Sequence, residues 1–230
     1  MSTENMKDKR NIWPIIGILS LVCWVGIIVY AFSYGNLGKT STDLVSLERD
    51  IQDLRAAMNM DNVRLSAIRK VMAIISQYNP NMPSSLQYEI ASVIYEMSVK
   101  YTNLDVDLIC AVITHESART WQVDIVSDAG AMGLMQIMPA TGMFIASYEG
   151  ITWSEAGKVL FDPMYNIRMG TRFLSILIDL YGLQGGLAAY NGGEKQAVLW
   201  IANGKADETL YAETRDYIPA VLKLYKKYKG

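Results

Sequence analysis

The feature that most constrains this 230-residue chain is an uncharged stretch near its N-terminus. No charged residue occurs from Asn11 to Gly38, and Trp13 to Ser33 is almost entirely aliphatic, aromatic or glycine. As a helix, these about 21 residues would be ~31 Å long, which matches the hydrocarbon core of a bilayer. We therefore predict a transmembrane helix over residues 11–35.

The flanks of this stretch indicate its orientation. Residues 1–10 contain three basic side chains, whereas Lys39 is the nearest one on the other side, so the positive-inside rule places the N-terminus in the cytoplasm. A cleavable secretory leader is the alternative, with Ala31–Ser33 as a cleavage site, but its apolar region usually has roughly 7–15 residues. We favour an uncleaved single-pass anchor in the cytoplasmic (inner) membrane, a cytoplasmic tail over residues 1–10 and a periplasmic or extracytoplasmic remainder.

Residues 43–78 carry a seven-residue repeat, typical of a coiled coil. Two interpretations stay open: a helical stem through which copies of the chain form a homo-oligomer, or one long helix that packs its apolar stripe on the chain's own domain. Asn79–Pro83 ends the helix, because two prolines interrupt it. The repeat positions are Leu44, Leu47, Ile51, Leu54, Met58, Asp61, Leu65, Ile68, Met72 and Ile75.

Residues 82–230 have helical periodicity and no convincing alternating strands, so we predict a mainly α domain there. Capping residues support several helix starts: Ser84 or Ser85, Asp105, Pro139 and Asp162 before Pro163. Val126–Met138 is a glycine-punctuated loop that allows the backbone to approach a ligand closely. The predicted helices are Leu86–Tyr101, Val106–Ala118, Pro139–Tyr148, Pro163–Tyr181, Leu187–Asn191, Glu194–Ala202 and Thr214–Tyr228.

Glu116 is the strongest catalytic candidate that the residues themselves indicate. It lies near the C-terminal end of the apolar helix that contains Leu108–Ile113, where helix carbonyls and low dielectric both disfavour a carboxylate. Its pKa should therefore be raised, which suits a general acid at neutral pH. The alternative is an ordinary solvated glutamate at a helix end.

Composition narrows the function classes. A formal net charge of −2 provides no polycationic surface, so we expect no nucleic-acid partner. Cys23 falls in the predicted membrane helix and Cys110 in an apolar helix, so no intramolecular disulfide is expected. His115, the one histidine, has no second histidine or cysteine nearby, and we expect no metal site and no cofactor.

Four ordered motifs resemble those of the soluble-lytic-transglycosylase (SLT) family, which has a goose-lysozyme-like fold. The similar region runs from about Tyr88 to Tyr225, roughly three fifths of the chain, and the N-terminal third lies outside it. The motifs are Glu116-Ser117, Ser127 with Gly130-Ala131-Met132-Gly133-Leu134-Met135-Gln136-Ile137-Met138-Pro139, Ala189-Tyr190-Asn191-Gly192-Gly193 and Glu213-Thr214-Arg215-Asp216-Tyr217.

This resemblance implies a lysozyme-like α-helical catalytic domain over residues 82–230. Its substrate would be the peptidoglycan glycan strand, cleaved at the β-1,4 bond between N-acetylmuramic acid and N-acetylglucosamine without water. Glu116 would be the single acid and base, and the product would carry a 1,6-anhydro end. By the same resemblance, the substrate-binding residues would be Ser127, Met135, Gln136, Tyr190, Asn191, Glu213 and Tyr217.

Two other functions stay open on the sequence. A lysozyme-like muramidase would use water with Asp124 or Asp128 as a second carboxylate. A non-catalytic wall-binding assembly protein would depend on the anchor and stem more than on a cleft. The tether further suggests local wall clearance for an envelope-spanning machine such as a secretion, conjugation or motility apparatus, with general wall remodelling as the alternative.

Overall fold

The computed structural model describes the backbone of residues 13–230 and the side chains of residues 20–34 and 46–230. Within residues 13–230 the regular elements are helices, and β-pairing is limited to isolated bridges in the loop before Pro139. The predicted mainly α fold class is confirmed. The cytoplasmic tail predicted over residues 1–10 lies outside the described residues. By its contacts the chain divides into two compact units, Met1–Asp61 and Asn62–Gly230.

The first helix, α1 (Trp13–Tyr78), contributes to both units. In the first unit its segment Ser20–Tyr34 is apolar, with exposed side chains, but this segment is shorter than a bilayer span. Among the residues with described side chains, only the half-buried helix Pro163–Gly192 is long and apolar enough to cross a membrane. The predicted transmembrane helix over residues 11–35 extends beyond the described side chains and stays a prediction.

The repeat residues of α1 have two different environments. In the first unit Leu47, Ile51, Leu54 and Met58 are exposed, while Leu44 lies outside the described side chains. In the second unit the last turns of α1 belong to the hydrophobic core, which includes two repeat residues, Ile68 and Ile75, and the neighbouring Val71. The stem predicted over residues 43–78 and the domain start at residue 82 stay predictions, and the compact second unit begins at Asn62.

Seven further helices build the second unit: α2 (Ser84–Lys100), α3 (Val106–Glu116), α4 (Pro139–Ala146), α5 (Ala156–Leu160), α6 (Pro163–Gly192), α7 (Glu194–Ala202) and α8 (Ala212–Lys229). The apolar residues Leu108–Ile113 of α3 are all buried, and α3 packs against α2 and α8. The long helix α6 packs against α2, α7 and α8, and both α3 and α6 contribute residues to the hydrophobic core.

The predicted caps are largely confirmed. The Asp105 carboxylate accepts a hydrogen bond from the Leu108 amide at 2.8 Å, and Asp162 caps α6 through the amides of Met164 and Tyr165. Pro139 occupies the first turn of α4. The prediction of a serine cap for α2 is wrong, because Pro83 stands at that position without a side-chain hydrogen bond.

Three boundaries differ from the predictions for local reasons. α3 ends at Glu116, because Ala118 has a φ of 48° that no right-handed helix accepts. A kink at Gly182, with φ 70°, interrupts α6 where the sequence predicts a longer break. The one-turn helix α5 was not predicted, since five residues are too few to show helical periodicity.

Candidate active site

Glu116 is the last residue of α3 and is partly buried. Desolvation by the surrounding protein and, to a smaller extent, the nearby carboxylate of Glu213 together raise its pKa to about 7. The hydroxyl of Tyr217 faces the ionised carboxylate and opposes part of this rise. A carboxyl group with such a pKa is present in both protonation states at neutral pH, as acid–base catalysis requires.

Glu116 opens into a cavity of about 400 Å³. A second cavity of about 400 Å³ shares Gln136, Met138, Tyr190 and Asn191 with the first, so the two form one extended cleft. Residues from α3, the 126–138 loop, the end of α6 and the start of α8 line the first cavity: His115, Glu116, Ser127, Ala129, Ala131, Gln136, Met138, Tyr190, Asn191 and Glu213.

The buried Asn166 of α6 holds the 126–138 loop in place. Its Oδ1 accepts the Met135 amide at 2.8 Å, and its Nδ2 donates to the carbonyls of Met132 and Leu160, both at 2.9 Å. Gly133 passes directly over this amide with φ 79°, and a Cβ there would lie 2.3 Å from Asn166 Nδ2. The loop therefore requires glycine at position 133.

Two predicted substrate-binding residues of this loop, Ser127 and Gln136, line the cleft beside Glu116. Ser127 exchanges hydrogen bonds with Ala131, since its amide donates to the Ala131 carbonyl at 2.9 Å and its Oγ accepts the Ala131 amide at 3.0 Å. Gln136 has φ 47° and donates from Nε2 to the Gly133 carbonyl at 2.8 Å. A left-handed non-glycine residue at a cleft is a strained position of the kind that clusters at functional sites.

Tyr190 and Asn191 connect the end of α6 to the rest of the site. The Tyr190 hydroxyl donates to the Met135 carbonyl at 2.7 Å, which fixes the phenol in the wall of the cleft. The Asn191 Oδ1 accepts the Thr214 hydroxyl at 2.8 Å, and its Nδ2 lies 3.4 Å from the Glu213 carboxylate. Glu213 is thereby held at the cleft edge, with its side chain exposed.

Two of the predicted residues do not line the cleft. Met135 is fully buried against Gly170, where a Cβ would lie 2.5 Å from the Met135 sulfur, and only its backbone carbonyl serves the site, through Tyr190. Tyr217 is 1% exposed and is not among the residues that line either cavity of the cleft. Within the described part of the chain its hydroxyl has no hydrogen-bond partner of standard geometry.

A family model matches the part of the chain that contains most of this site. The model of the transglycosylase SLT domain family matches residues 93–212, which is more than half of the chain. The chain belongs to this family. The match includes Glu116 and the residues from Ser127 to Asn191, and it ends just before Glu213. The resemblance inferred from the motifs is confirmed.

Curated relatives of this SLT domain include soluble and membrane-bound proteins. The soluble lytic murein transglycosylase of Escherichia coli K12 is 34% identical over 122 residues, which are 49% of this chain and 19% of that protein. Membrane-bound lytic murein transglycosylase C of Sodalis glossinidius is 27% identical over 197 residues, covering 72% of this chain and 54% of that protein. The chain thus spans from about a fifth to about half of the length of these relatives.

Solved structures share the fold of this SLT domain. An inactive mutant of the lytic transglycosylase Slt from Pseudomonas aeruginosa superposes with a TM-score of 0.53 and 28% identity, covering 60% of this chain and 23% of that one. The 70 kDa soluble lytic transglycosylase of Escherichia coli gives 0.51 and 28%, covering 64% and 26%. The fold predicted from the resemblance is confirmed.

The sequence alone missed several residues of the cleft: His115, Met138, Thr141 and Phe173. The sequence predicts that His115 points away from Glu116, because neighbours on a helix differ by about 100°. Both side chains nevertheless reach the cavity, since α3 ends there and the wall curves around its last turn. Met138 could have been predicted as a cleft residue, because it is the last residue of the glycine-punctuated loop and directly precedes Pro139.

The other acidic candidates of this SLT domain lie elsewhere. Asp124 lines a separate cavity of about 370 Å³ together with Asn79 and Trp121, and Asp128 is not among the residues that line the cleft. Trp121 itself is fully buried and donates from Nε1 to the Thr114 hydroxyl at 3.0 Å, so it is a core residue. Among the residues with described side chains, no three His, Cys, Asp or Glu residues form a metal-binding group.

Proposed function

We propose that this chain is a lytic transglycosylase that cleaves peptidoglycan glycan strands with Glu116 as its one acid and base. The observation that carries this proposal is the position of Glu116, whose carboxyl group has a pKa of about 7 and opens into an extended cleft of the SLT domain. The names of the relatives, lytic murein transglycosylases, support the same activity.

In the first step the protonated Glu116 donates its proton to the glycosidic oxygen between N-acetylmuramic acid and N-acetylglucosamine. The bond from the anomeric carbon to this oxygen breaks, and the N-acetylglucosamine side leaves as an alcohol. The carbonyl oxygen of the substrate's own N-acetyl group then stabilises the positive charge at the anomeric carbon. A pKa near neutrality allows Glu116 to be protonated at the start of this step.

In the second step the Glu116 carboxylate accepts the proton of the muramyl 6-hydroxyl group. The deprotonated 6-oxygen of the muramyl residue attacks the anomeric carbon and closes the 1,6-anhydro ring. Glu116 has then regained the proton that it donated, so the cycle balances without water and without a second carboxylate. This scheme differs from the two-carboxylate mechanisms of most glycosidases.

The cleft carries the side chains that a polar sugar chain needs. Gln136 and Asn191 present amide groups, Ser127 presents a hydroxyl, and Tyr190 presents an aromatic face beside Phe173 at a ring distance of 5.6 Å. Amides and hydroxyls bind sugar hydroxyls, while flat rings pack on their apolar faces. We assign substrate binding to these residues and to Glu213, whereas the buried Tyr217 acts on Glu116 and Met135 acts through its carbonyl, which holds Tyr190.

A tether to the membrane completes the proposal. The single-pass anchor over residues 11–35, with a cytoplasmic N-terminus, would hold the SLT domain on the extracytoplasmic face of the inner membrane. The membrane-bound relatives support an envelope location, and the exposed apolar side chains of Ser20–Tyr34 suit a lipid environment. Two further points stay predictions: that the chain clears the wall locally for an envelope-spanning machine, and that it forms a homo-oligomer.

Mass spectrometry of digested sacculi tests the activity. The wild-type chain should release muropeptides with 1,6-anhydro ends, and Glu116→Gln should reduce their release about 10²- to 10⁴-fold, because the acid and base is lost. Glu155→Gln is the matched control, since this exposed glutamate pairs with Lys158 at 3.1 Å on the surface. Reducing ends would indicate hydrolysis instead, and full activity of Glu116→Gln would refute catalysis by this residue.

A further inference from the structure

The side chain of His115 occupies a position that the proposed reaction does not yet use. Its imidazole lines the same cavity as Glu116 and contacts the ring of Tyr217, with ring centroids 4.7 Å apart and an interplanar angle of 79°. Edge-to-face packing of this kind is a preferred arrangement of aromatic rings and fixes the orientation of the partner ring. His115 is therefore both a wall of the cleft and a support for Tyr217.

The Tyr217 hydroxyl needs such a support. It is buried, faces the Glu116 carboxyl group and has no hydrogen-bond partner of standard geometry within the described residues. Tyr190, the other phenol near Glu116, is fixed differently, by a hydrogen bond from its hydroxyl to the Met135 carbonyl at 2.7 Å. The direction of the Tyr217 hydroxyl thus depends on how its ring is packed.

We propose that His115 is a positioning residue, which holds the Tyr217 ring so that its hydroxyl faces the Glu116 carboxyl group. The proposal rests on the proposed function, in which Glu116 is the acid and base. It assigns a role to the residue that directly precedes Glu116 in the sequence and that shares the last turn of α3 with it.

The charges around His115 favour a neutral ring that acts by packing. Burial and the cation of Arg119 lower the pKa of His115, and the Glu213 carboxylate opposes this only in part. The titratable groups that face the pair of His115 and Glu116 are Arg119 after α3, Glu213 and Tyr217 on α8, and Tyr190 on α6. An aromatic ring without charge should therefore replace His115 better than a small side chain.

The titration of Glu116 gives a direct readout. The Tyr217 hydroxyl lowers the pKa of Glu116 by interacting with its ionised form, so a Tyr217 ring that is no longer held should let this pKa rise. ¹³C NMR of the Glu116 carboxyl carbon in the full-length chain in detergent micelles, assigned by comparison with Glu116→Gln, measures this without substrate. His115→Ala should raise the midpoint of the Glu116 titration by about 0.5–1 pH unit, as expected for the loss of one polar interaction with the Tyr217 hydroxyl.

Three further variants decide between positioning and a general structural role. Tyr217→Phe should raise the midpoint as His115→Ala does, the double variant should add nothing to either, and His115→Phe should keep the wild-type midpoint. In muropeptide assays His115→Ala should lower kcat about 3- to 10-fold with little change in KM. The alkaline limb of its pH–rate profile should move to higher pH, because the pKa of Glu116 is raised.

The outcomes separate this inference from the proposed function. An unchanged Glu116 midpoint in His115→Ala, additive shifts in the double variant, or a shift in His115→Phe as large as in His115→Ala would each overturn the positioning role. If the wild-type chain released no anhydro-muropeptides, the proposed function would fail, while the NMR titration would still report whether His115 holds Tyr217.

Discussion

At the scale of single residues, the site depends on a few close contacts in the 126–138 loop. The loop that carries Ser127 and Gln136 is fixed by one buried amide, Asn166, and by the absence of a side chain at Gly133. The glycines of this loop predict that its backbone can approach a ligand closely. Nothing in the sequence, however, indicates which glycine contacts Asn166. That contact joins residues 33 positions apart and exists only in the fold.

Gly133→Ala tests this contact, with Gly130→Ala as the matched control. Both glycines have a positive φ, 79° and 86°, so both substitutions introduce backbone strain of about 1 kcal/mol. Only at Gly133 would the new Cβ also collide, at 2.3 Å from Asn166 Nδ2, whereas at Gly130 nothing lies within 4 Å. Thermal unfolding should show a loss of about 3 kcal/mol for Gly133→Ala and about 1 kcal/mol for Gly130→Ala; equal losses would contradict the close approach.

At the scale of elements, a buried carboxylate ties α2 and α6 to the end of α4. Glu149 lies in the short 3₁₀ turn after α4, with its side chain fully buried, and Lys100 of α2 approaches it at 2.7 Å. Arg168 and Arg172 of α6 lie at 3.5 and 3.4 Å, and the Tyr101 hydroxyl also donates to it. Hydrogen bonds and ion pairs with these partners hold the pKa of Glu149 below its usual value.

Glu149→Gln should destabilise the domain by about 3 kcal/mol in urea unfolding at pH 7, because it leaves partly buried cations without their carboxylate. A lowered pKa in the folded state stabilises the fold above the ordinary glutamate pKa of 4.5, and this stabilisation is lost as pH falls through the folded-state pKa. The difference between wild type and variant should therefore shrink as the pH falls below the ordinary glutamate pKa of 4.5. Glu155→Gln, on the exposed surface, should cost less than about 0.5 kcal/mol, and an equally large loss there would contradict the cluster's role.

At the scale of the whole molecule, α1 serves two environments with one apolar pattern. The same seven-residue repeat leaves Leu54 and Met58 exposed in the first unit and buries Ile68 and Ile75 in the core of the second. A heptad pattern predicts an apolar stripe, but it cannot tell whether the stripe meets a second copy of the chain or the chain's own domain. Self-association through the exposed repeat residues stays a prediction.

Membrane fractionation tests the proposed tether. The full-length chain should stay in the membrane pellet after an alkaline carbonate wash, because an inserted helix resists extraction, unlike a peripheral contact. Protease added outside spheroplasts should digest the SLT domain while a cytoplasmic marker protein remains intact. Release by carbonate would contradict the anchor, and protection of the SLT domain would contradict the orientation.

The sequence by itself determined the helical character of the described residues, several helix caps, the family and the candidate acid, Glu116, because periodicity, capping and ordered motifs are local properties of the chain. Only the tertiary structure decided that Met135 is a core residue, that Asp124 lies outside the cleft and that His115 packs on Tyr217 beside Glu116. These facts depend on which helix faces meet across the core. The pKa of Glu116 joins the two levels, since its position predicts the rise while burial and Glu213 supply it.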